Sequence, residues 1–385
     1  MKIASAETMR VSLSPRRAHR VTFDTEGNLG HYVILKVLTD EGVFGLGEAT
    51  VLPMWGGDHM RYFGESPGTT VHIVNDYLVP AITGRDPFDI EAIHAVMDRT
   101  VKGYPYAKAA VDMALYDIMG KALGVPAYRL LGGLSRREVP MAHSLGIMEV
   151  GAAVEEAAAA AKEGIRTIKV KVGMDPERDV ETVRALRNAL AEEIEITVDA
   201  NQGYPSPKVA IGAIERMCDY GISMAEQPVE GLDGMAEVRE AVPCLVMADE
   251  SAWTPWDILE IRDRGAADVF SLYTTKPGGL FKAKKVAAIA EAAGMVCNVN
   301  GSAETGVGNA ANLHLVASTG IVSLANVFPV TTLAGREQTK VAGAFYTDDI
   351  IAEPFKYENG SLIVPDGPGL GIEIDEERLA KYRTD

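Results

Sequence analysis

The sequence predicts an α/β protein. Its centre is a parallel (β/α) barrel of TIM type, modified and with about seven or eight strands. An α+β capping domain precedes the barrel, and the C-terminal tail completes that domain. Two observations lead to this fold class. From about residue 140, short apolar segments alternate with amphipathic helical patterns at fairly even intervals, the rhythm of βα units. Before that, residues 1 to about 50 read as antiparallel strands joined by turn residues. The expected division is 1–130 for the capping domain with its specificity loops, 131–335 for the barrel, and 336–385 for a segment that returns to the capping domain. An open doubly wound sheet is the competing architecture, and strand count does not exclude it. No glycine-rich dinucleotide fingerprint follows the first strand.

In chain order, Tyr32-Val33-Ile34-Leu35-Lys36-Val37-Leu38 is a strand, Thr39-Asp40-Glu41-Gly42 a turn, and Val43-Phe44-Gly45-Leu46-Gly47-Glu48 the returning strand. Pro15-Arg16-Arg17-Ala18-His19-Arg20 lies between the first strand and this hairpin. Residues 51–68, rich in Gly, Pro and aromatics, form an irregular loop. Helical patterns run near 69–82, 89–99 and 106–122. In the last, Ala110, Met113, Ala114, Ile118 and Ala122 make an apolar stripe at helical spacing. Leu131-Gly132-Gly133 closes this part of the chain. Barrel strands are expected near 141–147, 167–173, 194–200, 223–227, 245–250, 269–273, 295–301 and 321–327. Helices fall near 151–163, 177–191, 207–219, 232–241, 254–264, 279–293 and 305–318. The stretch Thr305–Gly335 holds no Asp, Glu, Lys or Arg, and reads as a buried helix and a buried strand rather than a membrane span. The tail carries another hairpin around Ser361-Leu362-Ile363-Val364-Pro365 and is expected to pack on the N-terminal domain.

Bulk composition narrows the function classes. The chain has 385 residues, 47% of them hydrophobic, and a formal net charge of −17. That balance argues against a general affinity for nucleic acid or for an anionic membrane. An acidic surface does not exclude an anionic partner such as a small-molecule carboxylate, because a site has its own local charge. Cys218, Cys244 and Cys297 lack metal-ligand spacing and read as reduced, buried thiols of a cytoplasmic protein. The first residues lack a signal peptide's apolar core.

The chemistry is concentrated at strand ends, where barrel active sites sit. In Thr167-Ile168-Lys169-Val170-Lys171-Val172-Gly173, the two lysines stand at i and i+2, so both ammonium groups emerge on one face. A neighbouring like charge and partial burial both favour the neutral amine, which suits a lysine to proton transfer. The third strand ends in Asp199-Ala200-Asn201, the fourth in Glu226-Gln227-Pro228, the fifth in Asp249-Glu250-Ser251. Any one of these acids could be a helix cap or a solvated loop residue. Three carboxylates delivered to one rim by consecutive strands repel one another, and point to a hard divalent cation, Mg²⁺ or Mn²⁺.

This set of motifs resembles the enolase superfamily, and within it the muconate-lactonising branch, which includes mandelate racemase-like and muconate cycloisomerase-like enzymes. The resemblance covers nearly the whole chain. It implies that Lys171, the second lysine of Lys169-Val170-Lys171, is the acid/base, and that Asp199, Glu226 and Asp249 are metal ligands. Ala248-Asp249-Glu250-Ser251 has the form typical of the branch. Gly301-Ser302-Ala303-Glu304-Thr305-Gly306-Val307-Gly308-Asn309-Ala310-Ala311 is similar to its seventh-strand segment, with Glu304 at the glutamate of that segment. Arg16, Arg17 and His19 resemble part of the specificity loop, and the Trp55 loop would be the second flap. Asn201, Glu250 and Asn300 join the substrate-binding candidates. A homo-oligomer is implied, as the family often forms dimers or octamers.

The sixth strand departs from the family pattern. It reads Tyr273-Thr274-Thr275-Lys276-Pro277-Gly278-Gly279, which puts Tyr273 where the branch has a second lysine and Lys276 at the trailing basic position. Lys276 is then either a supporting loop lysine or, with a shifted loop, an acid/base. Asn300 stands near the place of the histidine in a mandelate-racemase dyad. The shared chemistry is enolate formation from a carboxylate, with Lys171 moving the α-proton while Lys169 lowers its pKa and helps hold the carboxylate. Racemisation needs an acid and a base on opposite faces, and a tyrosine near its ordinary pKa of ~10 is a poor base at neutral pH. One base suffices for lactonisation of an unsaturated diacid, whose second carboxylate would suit Arg16 and Arg17, or for syn β-elimination from a hydroxy or amino acid. The reading is therefore an isomerase of the cycloisomerase type. A dehydratase, and a racemase or epimerase of amino-acid derivatives using Tyr273 or Lys276, stand as alternatives. A dipeptide epimerase loses support because Leu324-Ala325-Asn326-Val327 lacks the Asp-x-Asp motif after the eighth strand. A non-catalytic scaffold is disfavoured by retention of both lysines and all three acids.

Overall fold

The computed structural model describes residues 1–27 and 29–384 of the chain. Three strands, Ile3–Ser12, His31–Thr39 and Phe44–Thr50, pair in sequence order as an antiparallel sheet. The apolar face of this sheet lies on the helix Pro105–Leu123. Contact is close because two strand residues have no side chain. A Cβ on Gly45 would sit 2.0 Å from the Ala114 carbonyl oxygen, and one on Gly47 would sit 1.8 Å from that of Ala110. The apolar stripe expected on this helix is a correction: Tyr106 to Gly120 are buried on every side. The sheet covers one face and the barrel the other, so even the polar residues are enclosed and must bond. Asp117 accepts the backbone N–H of Leu46 (2.9 Å) and Leu370 (2.8 Å). Asp112 accepts those of Leu280 (2.5 Å) and Phe281 (3.3 Å), at the start of a barrel helix.

Seven parallel strands follow in sequence order: Ala142–Leu145, Thr167–Lys171, Glu195–Asp199, Ile222–Glu226, Leu245–Ala248, Val269–Leu272 and Val296–Val299. The helices between them begin where the sequence supplies caps. Asp175 accepts the N–H of Glu177 (3.1 Å), Ser206 that of Val209 (3.4 Å), and Thr254 and Asp257 form a reciprocal capping box; Pro176, Pro207 and Pro255 occupy first-turn positions where a missing N–H costs nothing. The eighth strand expected at 321–327 is not a regular strand. It makes isolated bridges, Val322 with Cys297, Val327 with Asn300 and Asn326 with Met141, joining the seventh strand to the start of the first. The Asn326 side chain takes over ladder bonds, accepting from Val299 N–H (2.8 Å) and donating to the Pro140 carbonyl (3.0 Å). A side chain in the ladder interrupts backbone pairing, which is why closure is irregular here.

The charge-free stretch contains the buried helix Gly306–Ala317. Among the described residues, no helix is long and apolar enough to cross a membrane. The tail hairpin, Tyr357–Glu358 with Ser361–Ile363, pairs with Glu138–Pro140 rather than with the N-terminal sheet. It is the residues after it that reach the sheet: Arg383 bridges Val11, and the Thr384 N–H donates to the Arg10 carbonyl (2.9 Å). The expectation of three buried thiols also needs correction. Cys297 is buried on the seventh strand, but Cys218 and Cys244 are only partly covered.

Candidate active site

The register of the sheet lines up the charged strand ends. Lys171 pairs with Asp199, and Asp199 with Glu226, across adjacent parallel strands. Paired residues of parallel strands face the same way, so these side chains share the barrel mouth. Glu226 pairs with Met247, which places Asp249 one layer higher on the same face. All three acids are buried.

The acids are held by ammonium groups. Lys169 Nζ contacts Asp199 Oδ2 at 2.8 Å and Glu226 Oε1 at 2.9 Å. Lys171 Nζ donates to Asp199 Oδ2 and to Asn201 Oδ1, both at 2.7 Å. Lys276 Nζ donates to Asp249 Oδ1 (2.7 Å) and to the carbonyls of Asp249 and Ser271 (2.9 Å each). Three N–H groups and three acceptors leave Lys276 saturated, whereas Lys171 retains one donor beyond its two partners. Asn300 does not point to open space; its Nδ2 donates to Glu226 Oε1 (3.1 Å), and Asn298 supports it from below (2.9 Å).

Burial and charge separate the acids. Burial pushes Glu226 up to about 8, with the Asp199 charge adding to the effect. Asp199 is buried too, but Lys169 and Lys171 outweigh that and hold its carboxyl well below the usual range. Glu250 is pushed far up by burial and then by Asp249 and Asp199. Burial alone would lower Lys169; the charges of Asp199, Glu226 and Asp249 win and raise it. Lys169 is therefore a fixed cation, not a lysine poised near neutrality. The sequence argument from two adjacent like charges missed the larger opposing charge of the acids. Tyr273 is likewise not an ordinary phenol. Burial and then Asp249 push it well above 10, its hydroxyl reaches Asp249 Oδ2 only at 3.5 Å, and the Lys276 ammonium lies 4.2 Å from its ring centroid.

Loops from the N-terminal region cover the mouth. Trp55 is buried, with ring centroids 5.2 Å from Trp253 and 5.5 Å from Tyr273. Its indole N–H donates to Glu250 Oε1 (3.2 Å), which also accepts from Asn201 (2.9 Å); Glu250 Oε2 has no hydrogen-bond partner among the described residues. His19 is buried near Ser144 (3.4 Å), and burial followed by the Lys171 and Arg17 charges lowers its imidazole well below the usual value. Arg16 and Arg17 are not free cations at the mouth. Arg16 Nη2 lies 2.8 Å and Arg17 Nη2 2.6 Å from Glu156 Oε1, and His143 shares the same oxygen at 3.0 Å. A barrel-helix acid thus engages both guanidinium groups, a pairing that sequence separation hides.

Glu304 is buried, with Oε1 accepting the Ser302 N–H (2.9 Å); burial raises its carboxyl. Its segment is fixed by acids that the sequence reading did not single out. Glu48, from the third strand of the N-terminal sheet, accepts from Thr305 N–H (3.1 Å), Thr305 Oγ1 (2.5 Å), Gly308 N–H (2.9 Å) and Thr50 Oγ1 (2.6 Å). Asp349 accepts the Gly306 N–H (3.0 Å to Oδ2). Both carboxylates sit at the N-terminus of Gly306–Ala317, where backbone N–H groups favour negative charge. Burial nevertheless pushes each up to about 7. Gln227 was also missed. It holds a left-handed φ of 35°, and its Oε1 accepts the N–H of Asp249 (2.8 Å) and Ser251 (3.2 Å), tying the fourth strand end to the fifth.

Among the described residues, no three His, Cys, Asp or Glu side chains converge as a cluster that could hold a metal ion. The oxygens of Asp199, Glu226 and Asp249 face lysines instead. The donor set still suits a hard divalent ion. Four buried carboxyl groups, Asp199, Glu226, Asp249 and Glu250, stand with three ammonium groups, Lys169, Lys171 and Lys276, and the buried Glu250 Oε2 has no hydrogen-bond partner among the described residues.

Comparison with known proteins agrees with this geometry. Residues 152–378 match a family model described as enolase C-terminal domain-like, and residues 5–132 match the N-terminal domain of mandelate racemase / muconate lactonizing enzyme. The chain is 34% identical to an N-succinyl-L-Arg/Lys racemase of Bacillus cereus over 98% of this chain and 97% of that one. A crystal structure of that racemase superposes with a TM-score of 0.90 at 32% identity, covering 100% and 99% of the two chains. Muconate cycloisomerase 1 of Rhodococcus opacus is 35% identical over 99% and 98%. A hydrophobic dipeptide epimerase of Enterococcus faecalis is 38% identical over 74% and 78%.

Proposed function

We propose, because the chain belongs to the enolase superfamily and within it to the mandelate racemase and muconate lactonizing enzyme branch, that it is a divalent-metal-dependent cycloisomerase working with a single lysine acid/base on an unsaturated diacid. One observation carries the reading. Lys171 has an N–H left for a substrate carbon, whereas the opposite side offers Tyr273, a phenol far too basic to be deprotonated at neutral pH, and Lys276, whose donors are all engaged.

Asp199, Glu226 and Asp249 would hold Mg²⁺ or Mn²⁺. When bound, that ion supplies positive charge to the substrate's carboxylate oxygens as the enolate develops. Lys169, kept charged by Asp199 and Glu226, adds a fixed positive charge beside the same oxygens. Lys171 delivers the proton to the α-carbon on one face. Asn201 orients Lys171 through its Oδ1, and Glu250 orients Asn201 in turn. Trp55, Trp253 and Tyr273 exclude water from the other face. Arg16 and Arg17 share one carboxylate, Glu156, which leaves net positive charge near the cap for a distal carboxylate.

Muconate cycloisomerases stand among the relatives, which supports lactonisation over β-elimination; the racemase and epimerase relatives supply the competing reading. The test is the ultraviolet absorbance of cis,cis-muconate with the protein and Mg²⁺ or Mn²⁺. Metal-dependent loss of the diene signal, absent in Lys171→Ala, is the expected outcome. If solvent deuterium instead enters the α-carbon of an N-acyl amino acid or dipeptide with loss of optical purity, the one-base assignment is wrong. Release of water from a hydroxy acid would move the reaction to a dehydratase while keeping Lys171 as the base.

A further inference from the structure

Two loops of the N-terminal region, one before the strand His31–Thr39 and one after the strand Phe44–Thr50, meet at Asn201. Thr22 stands in the first. Its hydroxyl donates to the Asn201 carbonyl at 2.9 Å, with the Ala200 carbonyl at 3.3 Å. The approach is close because residue 203 is glycine: a Cβ there would lie 2.5 Å from Thr22 Cγ2. Trp55 stands in the second loop. Its indole N–H and the Asn201 side-chain amide share one acceptor, Glu250 Oε1, at 3.2 and 2.9 Å. Asn201 Oδ1 accepts from Lys171 Nζ (2.7 Å). An ammonium only donates, so the amide has one orientation here, Oδ1 to Lys171 and Nδ2 to Glu250. The backbone at this point is strained. Asn201 has φ 41° and Gln202 φ 64°, left-handed values that persist only where the surroundings fix them. Within the barrel, the Asn201 N–H donates to Asp199 Oδ1 (2.9 Å) and the Gln202 N–H to the Gln227 carbonyl (2.7 Å). The Thr22 bond is added from outside the barrel.

We infer that Thr22 and Trp55 are positioning residues that couple the seating of both loops to the direction of the Lys171 ammonium, through Asn201. The inference rests on the role proposed above for Lys171 as the acid/base. With both loops seated, the backbone and the amide of Asn201 are fixed. Lys171 then has one N–H committed to Asp199 and one to Asn201, which sets where the third points. With the first loop lifted, the strained turn loses the Thr22 bond. With the second lifted, Glu250 loses the Trp55 bond, and its hold on the Asn201 amide slackens. In either case Asn201 turns away and Asp199 is left as the Lys171 partner. Proton transfer is thereby confined to the covered state, in which bulk water is kept from the reacting carbon.

The test uses Thr22→Val, which deletes the hydroxyl at constant size, and Trp55→Phe, which deletes the indole N–H; Thr22→Ser is the conservative control. With cis,cis-muconate and Mg²⁺, Thr22→Val and Trp55→Phe should each lower kcat about tenfold, with KM changed by less than about twofold. Thr22→Ser should keep most of the wild-type kcat. In an Asn201→Ala background, Thr22→Val should have no further effect on kcat and Trp55→Phe should lose most of its effect, because the relay is already cut. Equal losses by Thr22→Val in both backgrounds would overturn the inference, since a residue that merely supports the fold lowers activity with or without the Asn201 amide. A second readout needs no substrate. In a crystal structure of the Thr22→Val/Trp55→Phe double variant, Lys171 Nζ should leave Asn201 Oδ1, from 2.7 Å to beyond ~3.5 Å. An unchanged contact would overturn the coupling. If the wild-type protein leaves muconate unchanged, the cycloisomerase reading fails, and the crystallographic comparison still decides whether the loops set Lys171.

Discussion

Glu65→Gln tests whether buried carboxylates set the pH dependence of stability. Glu65 is enclosed, its Oε1 accepting the Tyr106 N–H (2.8 Å) and its Oε2 the Ala107 N–H (3.2 Å) and the Thr70 hydroxyl (3.0 Å). Burial outweighs these bonds and the nearby Lys108, pushing the carboxyl up from 4.5 to about 7. The folded protein therefore holds this proton more tightly than the unfolded chain. Its contribution to stability is fully present below pH 4.5 and is lost as pH rises through 7. Over about 2.5 pH units at ~1.36 kcal/mol each, the whole loss is about 3 kcal/mol, roughly three quarters of it between pH 5 and pH 8. Glutamine has the shape of the protonated acid and does not titrate. Urea unfolding followed by tryptophan fluorescence at pH 5 and pH 8 should show the variant gaining on the wild type by about 2–3 kcal/mol across that interval. Glu48 and Asp349, also raised to about 7, contribute in both proteins and cancel in the difference. A difference between variant and wild type that stays constant with pH would refute the reasoning, because burial would then not be what holds the proton.

Three further outcomes are expected. Mg²⁺ or Mn²⁺ should raise the unfolding free energy by about 2.7 kcal/mol at one hundred times Kd; a Glu226→Gln variant showing the same gain would exclude Glu226 from the site. Lys171→Ala should lower kcat by ~10²–10⁴ while Tyr273→Phe stays within several-fold of wild type, and equal losses in both would mean that the phenol takes part in proton transfer. Glu48→Ala strands four buried donors, Thr50 Oγ1, Thr305 N–H, Thr305 Oγ1 and Gly308 N–H, and should cost about 2–4 kcal/mol in urea unfolding; a cost under ~0.5 kcal/mol would show that water replaces the carboxylate.

What the sequence made legible was local and periodic. Lys169 and Lys171 share a face because strand side chains alternate, and that needed no coordinates. Asp199, Glu226 and Asp249 lie at the ends of strands whose apolar residues announce them, and the structure places all three at one mouth. The rest depended on contacts distant in sequence. The helix Pro105–Leu123 looked amphipathic because only one covering layer could be inferred; the second layer buries its polar side. Arg16 and Arg17 looked available because nothing near them in sequence is acidic, yet Glu156 meets both. Gln227 carried no charge to draw notice, although its amide ties two strand ends together. At 321–327, β-branched residues signalled a strand, but Asn326 diverts its bonds to a side chain. The sign of the electrostatics at Lys169 was misjudged for the same reason: the two lysines are adjacent in sequence, and the acids that dominate them are not.

The Glu48 contact bears on how far this protein can be recombined. A barrel helix normally finds its N-terminal partners within its own unit. Here Thr305 caps only the Val307 N–H of Gly306–Ala317, and the Thr305 and Gly308 N–H groups go to Glu48, contributed by the N-terminal sheet, and that of Gly306 to Asp349, contributed by the tail. Grafting a foreign cap onto this barrel to exchange specificity would therefore also remove a helix cap on the far side of the graft boundary. Glu48, Thr305, Gly308 and Asp349 form a minimal transplant unit, to be moved together or not at all. Chimaeras that split them should fail by misfolding before their selectivity can be measured.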